Sequence, residues 1–300
     1  MAVALIVCAL VAGVSPARAQ EAEPRAYSNA PVGMNFAIVG YVFTDGGLAF
    51  DPSVPFTNEE LNTSNALLAY ARVLDLWGKS AKLDVIVPFT WLSGSAEFAG
   101  EPVERSVRGF GDGRARLSVN FHGAPALSLK EYAGYRQDLI LGASLQVSVP
   151  WGQYDDERLV NLGAHRWWFK PELGVSKAIG SWTFEFAAAV TFYTDNDDFF
   201  GGITRSQDPL VGLQWHVIHG FKSGVWAAFD TAYFTGGRST LGDAESNDLQ
   251  NNWRLGGMLA VPINRQNSIK FHISSGVYAR TGNNFDAVGV AWQYRWGGGL

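Results

Sequence analysis

The side chains best placed to act on a solute are charged residues set at alternate positions in otherwise apolar runs. They are Arg72, Lys82 and Asp84, Arg114 and Arg116, Arg166, Lys170 and Glu172, Glu185, Asp230, Arg254, Lys270 and His272, Arg280 and Arg295. Trp168 shares the phase of Arg166 and Lys170 within the run HRWWFKPE. Most of this set is basic, yet the chain carries a formal net charge of −5. Basic groups gathered on one alternating face of an acidic protein have two uses. They can attract and orient anionic or hydroxylated solutes such as aromatic carboxylates and phenolates. They can also be neutralised in internal ion pairs, because unpaired burial is costly. Arg72 and Asp84 could form one such pair across the turn WGKS.

Other chemistries find little support. His272 and Ser274 share a face, but two residues along a strand lie about 6 to 7 Å apart, too far for direct proton transfer. Neither G-x-S-x-G nor H-E-x-x-H occurs, so the sequence is read as a non-enzyme. The acids Asp155, Asp156 and Glu157, and Asp195, Asp197 and Asp198, carry oxygen ligands that Ca²⁺ could use. Their spacing is not that of an EF-hand, and they are read as solvated loops, with no metal assigned. Phe199 and Phe200 beside them are expected to anchor that loop at the outer interface rather than fold inward as a lid. GFGDG (109–113) precedes an alternating strand rather than a helix, so it is expected to ease a turn into that strand, not to cradle a dinucleotide. No cofactor is assigned, and no nucleic-acid-binding signature is present.

The elements that must position these residues have period 2. In 81–92, Leu83, Val85, Val87, Phe89 and Trp91 alternate with Lys82, Asp84 and Thr90. In 113–122, Ala115, Leu117, Val119 and Phe121 alternate with Arg114, Arg116 and Asn120. The runs 139–149, 181–193 and 286–296 repeat the pattern. Weaker runs fill 32–43, 64–77, 165–177, 210–219, 224–235, 251–262 and 268–280, which makes twelve strands. Short links (WGKS, AIGS, HGFKS) alternate with long ones, and Trp77, Trp91, Trp151, Trp167, Trp182, Trp253, Trp292 and Trp296 gather near strand ends. Together these predict an all-β transmembrane antiparallel barrel with short periplasmic turns, long outer loops and an aromatic girdle. A soluble β-sandwich also alternates, but its apolar set would not be so continuous and so rich in rings.

Composition agrees. Charged residues make up 17% of the chain, below the roughly 25% of soluble domains, and mean hydropathy is close to zero. The apolar run from Ala2 to Val14, ending Ala17-Arg18-Ala19, predicts a cleaved signal peptide over 1–19. It contains the chain's one cysteine, Cys8, so the exported chain has no disulfide and no thiol site. Residues 20–31 read as a periplasmic lead-in and 32–300 as the barrel. The expected partners are outer-membrane lipid, the barrel-assembly machinery and a small hydrophobic or aromatic solute.

GFGDGRARLSVNFHGAPAL (109–127), VPWGQYDDERLVNLGAHRWWFKPELGVSKAIGSWTFE (149–185), TDNDDFFGG (194–202) and QDPL (207–210) resemble a family of bacterial outer-membrane proteins labelled transporters of the meta-cleavage pathway of phenol degradation. The resemblance covers most of the chain and is weakest before about residue 65. It implies an outer-membrane β-barrel for passive uptake of aromatic or other hydrophobic compounds. Three departures stand out: His165 where the family tends to have Asn, Trp151 where Thr is commoner, and the ending WGGGL in place of a terminal aromatic residue. Two other functions suit the same architecture: a non-conducting barrel for structure, adhesion or sensing, and a lipid-modifying enzyme.

Overall fold

Alternation of side chains across a strand decides this architecture. In the strand Trp168–Ile179, Trp168, Lys170 and Glu172 are buried while Phe169, Pro171 and Leu173 are exposed. Leu173 is 64% exposed although Glu172 is nearly covered. Apolar outside and polar inside is the reverse of a water-soluble sheet, and it is what a strand between lipid and a polar lumen requires. The same inversion puts Val39, Leu68, Leu145, Phe184, Phe229, Ile273 and Val288 on the outer surface.

A computed structural model describes residues 23–49, 56–98 and 101–300. The expected signal peptide, its cleavage site and Cys8 lie outside the described residues. The strands are β1 (Met34–Ala49), β2 (Phe56–Leu76), β3 (Lys79–Phe98), β4 (Glu101–Phe110), β5 (Gly113–His122), β6 (Leu139–Val149), β7 (Trp168–Ile179), β8 (Trp182–Tyr193), β9 (Asn196–Phe199), β10 (Ile203–Gln207), β11 (Leu210–Gly220), β12 (Trp226–Gly236), β13 (Ser239–Leu241), β14 (Ala244–Glu245), β15 (Gln250–Pro262), β16 (Asn267–Ala279) and β17 (Gly282–Gly297). β1 pairs antiparallel with both β2 and β17, and the ladder runs on through every neighbour. Among the described residues this closes a barrel of twelve staves, one of them made of β4 and β5 in series. Closure gives every stave a neighbour on both sides, so no open sheet edge faces the membrane interior. Among the described residues no helix is long and apolar enough to cross a membrane.

Several expectations are refined. The long links at 44–63 and 93–112 are largely strand: β1, β2, β3 and β4 carry the sheet well beyond the other staves. GFGDG is a break within a stave rather than a turn. β4 pairs with Phe89–Phe98 and β5 with Ala81–Ile86, both on β3. The break at Gly111 and Asp112 is tied off by the Asp112 carboxylate, which accepts from the backbone N–H groups of Gly152 at 2.9 Å and Ala164 at 2.7 Å. The Trp151 indole donates to the Gly111 carbonyl at 3.0 Å, which gives this departure from the family pattern a structural use. No register shift occurs at Pro171. Pairing to β8 lapses at Lys170 and Pro171 and resumes unchanged at Glu172. The missing N–H therefore costs ladder bonds without forcing a bulge.

Candidate functional site

Facing strands bring polar side chains into rows across the inner wall, because residues directly opposite one another share a face. One row reads Asp84, Arg116, Gln146 and Lys170 across β3, β5, β6 and β7. The next row toward the long-loop end reads Arg114, Ser148 and Trp168, with Tyr193 on β8. The row on the other side holds Lys82, Ser118, Ser144 and Glu172. Arg116 donates its Nε to Asp84 at 3.1 Å, and Lys170 lies 3.9 Å from Glu172. Glu185 on β8 accepts from Ser176 at 2.8 Å. Lys82, Asp84, Arg114, Arg116, Trp168, Lys170, Glu172 and Glu185, the members of this cluster proposed from the sequence, share the inner wall with Gln146, Ser118, Ser144, Ser148 and Tyr193, which were not singled out.

The remaining predicted residues separate. Asp230 faces inward but belongs to a buried pair with His216 at 2.6 Å. Lys270 and His272 alternate with exposed Phe271 and Ile273 and face the lumen from β16. Arg254 also points inward. Its guanidinium lies 3.9 Å from the ring centre of Phe285 and donates to Ser274. Arg166, just before β7, is buried, bonded to Gln207 and stacked 4.6 Å over the Tyr193 ring. Two assignments are overturned. Arg72 pairs with Leu83, not Asp84, and lies exposed on the outer face near the short-turn end. The run LLAYARVLDL has apolar residues in both phases, so alternation could not choose between them. Arg280 stands exposed at the outer rim, bonded to Asn247. A bulge opposite Trp253 and Arg254 leaves both Val277 and Tyr278 facing outward, and this reverses the phase before Arg280.

The largest departure concerns the lead-in. Residues 23–30 do not stand clear of the barrel; they enter its lumen from the short-turn end. Asn29 donates to the Pro125 carbonyl at 3.1 Å, and Asn120 donates to the Tyr27 carbonyl at 2.9 Å. The Tyr27 hydroxyl donates to Glu172 at 2.9 Å, and Lys82 donates to the Ala26 carbonyl at 3.0 Å. The Arg25 backbone N–H donates to Glu185 at 2.7 Å, and its guanidinium lies 5.3 Å from the Trp226 ring across the lumen. Glu23 makes an ion pair with Arg116, and its N–H donates to Gln214 at 3.3 Å. The ring of Tyr27 lies on two glycines that face each other, Gly142 on β6 and Gly174 on β7. A Cβ at either would come within 2.2 or 2.1 Å of that ring. Glycine is required at both because the segment docks flat against the wall.

The long-loop end carries a different structure. β9, β10, β13 and β14 form a separate small sheet over the mouth. Phe199 and Leu241 form its buried core, with Leu159, Phe200 and Ile203 packed around them. Phe199 and Phe200 therefore fold into a cap instead of anchoring the loop in lipid. Arg205 crosses beneath, donating to Ser239 at 3.0 Å and stacking 5.4 Å over Phe199. Just inside the mouth, Leu210, Ala232 and Phe234 pack with Tyr193 into an inward-facing apolar patch. Among the described residues no group of His, Cys, Asp or Glu is arranged to hold a metal ion.

Sequence reasoning missed three parts of this site. His216 and Gln214 share the inward phase of β11, which a stricter reading of LVGLQWHVIH could have shown. The inward patch of Leu210 and Phe234 breaks the polar-inside rule and carries no such signal. The docking of 23–30 leaves one trace, the alternation of Glu23, Arg25 and Tyr27.

No curated protein sequence matches this chain. Among solved structures, an outer-membrane channel from Pseudomonas putida F1 aligns over 92% of this chain and 100% of its own, with a TM-score of 0.77 at 19% identity. The β domain of the Bordetella autotransporter BrkA aligns over 88% of this chain and 100% of its own, with a TM-score of 0.50 at 10% identity. At such identities the likeness is one of fold. Residues 43–294 match the family model described as "Putative MetA-pathway of phenol degradation". That match spans most of the barrel, and the chain belongs to this family.

Proposed function

We propose that the protein is an outer-membrane channel for passive entry of small hydrophobic or aromatic solutes, including those that carry an anionic or hydroxyl group. The observation that carries this reading is the order of surfaces along the inner wall. Tyr193, Leu210, Phe234 and Trp168 offer rings and apolar atoms near the mouth. The row of Arg116, Gln146 and Lys170 lies directly beyond them. An amphiphilic ring can shed water on the first surface and hold its polar group on the second, with no cofactor and no bond made or broken. Membership in a family described by phenol degradation, and likeness in fold to a channel from Pseudomonas putida, support the same reading. Assembly would then follow the barrel-assembly route, with the signal peptide removed.

The test is entry of benzoate and phenol into liposomes carrying the purified protein, together with planar-bilayer conductance. Faster entry than into protein-free liposomes is expected. No conductance and no added solute entry would overturn the reading. The filled lumen gives weight to one rival, a sealed barrel with a structural or sensing role, and the same experiment separates the two.

A further inference from the structure

Arg116 is held by two carboxylates of different standing. Asp84 lies directly opposite it in the ladder and takes its Nε. That partner is fixed by the strands. Glu23 takes Nη1, and it comes from a segment with no strand pairing of its own. The charged groups that act most on Glu23 are Arg116, Lys170 and Arg114, and all are basic. Lys170 stands two strands from Arg116 in the same row, across Gln146. An arginine fork with one branch fixed and one branch on a tethered acid is a preorganised receptor for a second carboxylate. The row above carries Trp168 and Arg114 on either side of Ser148. Rows of the same face lie about 7 Å apart along a strand, a span comparable to one aromatic ring with its carboxylate bound at Arg116.

We propose that Arg116, with Lys170 and Arg114, forms a mid-lumen binding site for a small monoaromatic carboxylate, and that Glu23 occupies it when no solute is bound. The solute carboxylate takes over Nη1 and its ring lies toward Trp168. Glu23 leaves, and the segment that fills the lumen loses its ion pair. Binding and opening are then one exchange. The route by which the solute arrives rests on the channel reading; the site itself does not.

The experiment is calorimetric titration of benzoate into the purified full chain in detergent, with benzyl alcohol as the uncharged comparison. A tethered carboxylate competes at an effective concentration of about millimolar, so Glu23→Gln is expected to tighten benzoate binding about tenfold. Arg116→Gln removes the binding. Arg116→Lys, which keeps the charge and loses the fork, weakens it; this variant serves if Arg116→Gln does not assemble, as judged by heat-modifiable gel mobility. Benzyl alcohol is expected to show no such dependence. Ser28→Cys should react faster with a water-soluble maleimide when benzoate is present. The proposal is overturned if Glu23→Gln binds benzoate no more tightly than the parent, or if benzyl alcohol binds equally well. Benzoate that binds as expected but does not enter liposomes sinks the channel reading and leaves the site standing. Benzoate that enters liposomes while Glu23→Gln leaves its affinity unchanged does the reverse.

Discussion

The two ends of this lumen are built differently: the inner segment relies largely on polar contacts around the single packed ring of Tyr27, the outer cap on a paired sheet with an apolar core. At the short-turn end, residues 23–30 are held by side-chain hydrogen bonds and an ion pair, and lie against a wall of Asp84, Arg116, Glu172 and Glu185. At the long-loop end, β9, β10, β13 and β14 are paired by backbone bonds around a core of Phe199 and Leu241. Water or a polar solute can replace the first kind of contact group by group, because each lost bond finds another partner. An apolar core has no such substitute and is lost only by exposing its surface. The inner segment therefore suits the moving part, and the outer cap suits a fixed collar that shapes the mouth.

Removing the inner segment should break that contrast most sharply. Deletion of residues 20–30 is expected to raise single-channel conductance several-fold in planar bilayers, with the barrel still heat-modifiable on gels. An unchanged conductance would mean that the segment does not close the path. Tyr27→Phe keeps the ring in its socket but loses the bond to Glu172. Bonds to charged groups contribute about 1.5–3 kcal/mol, so openings should become about tenfold or more frequent, read as open probability. Gly174→Ala pushes a methyl group into the ring, and such overpacking costs about 1–3 kcal/mol. A smaller rise in open probability is expected, and one that Tyr27→Ala abolishes, since the clash then has no second party. The smallest effect on conductance should come from Phe199→Ala. It loosens the cap, seen as faster proteolysis within 194–209 and 238–248, while open probability stays near the parent value. A large conductance change in this variant would reverse the assignment of gate and collar.

One further substitution sharpens the reading of the wall itself. Leu173→Arg puts a charge on the lipid face, where it costs about 2–4 kcal/mol near the bilayer midplane. Denaturant unfolding in lipid should report that loss. Its neighbour Glu172 faces the lumen, and Glu172→Gln should instead alter gating through Tyr27.

Much of the inner wall was legible from alternation. Asp84, Lys170 and Glu172 each sit between two exposed residues, and Lys82, Arg114, Arg116 and Glu185 keep the same phase as their inward neighbours across the ladder, so phase alone placed them inside. Arg72 and Arg280 show where phase fails. In one, both faces of the run are apolar; in the other, a bulge inserts a residue that the sequence does not announce. The outer cap was invisible because strands as short as Ser239–Leu241 exist only by pairing, here with Arg205–Gln207 far back in the chain. The inward patch of Leu210 and Phe234 could not be read either, since an apolar residue in the inward phase looks like an interrupted pattern.

The sequence by itself determined a closed antiparallel barrel, its number of staves and the polarity of its two faces, because lipid and lumen each act on every second residue and write a local period. Only the tertiary structure decided that residues 23–30 turn back into the lumen, that Glu23 meets Arg116, and that Gly142 and Gly174 make a seat for Tyr27. Those contacts join positions far apart in the chain or on different strands. No local pattern encodes them, and their free energy exists only once the barrel has closed around the segment.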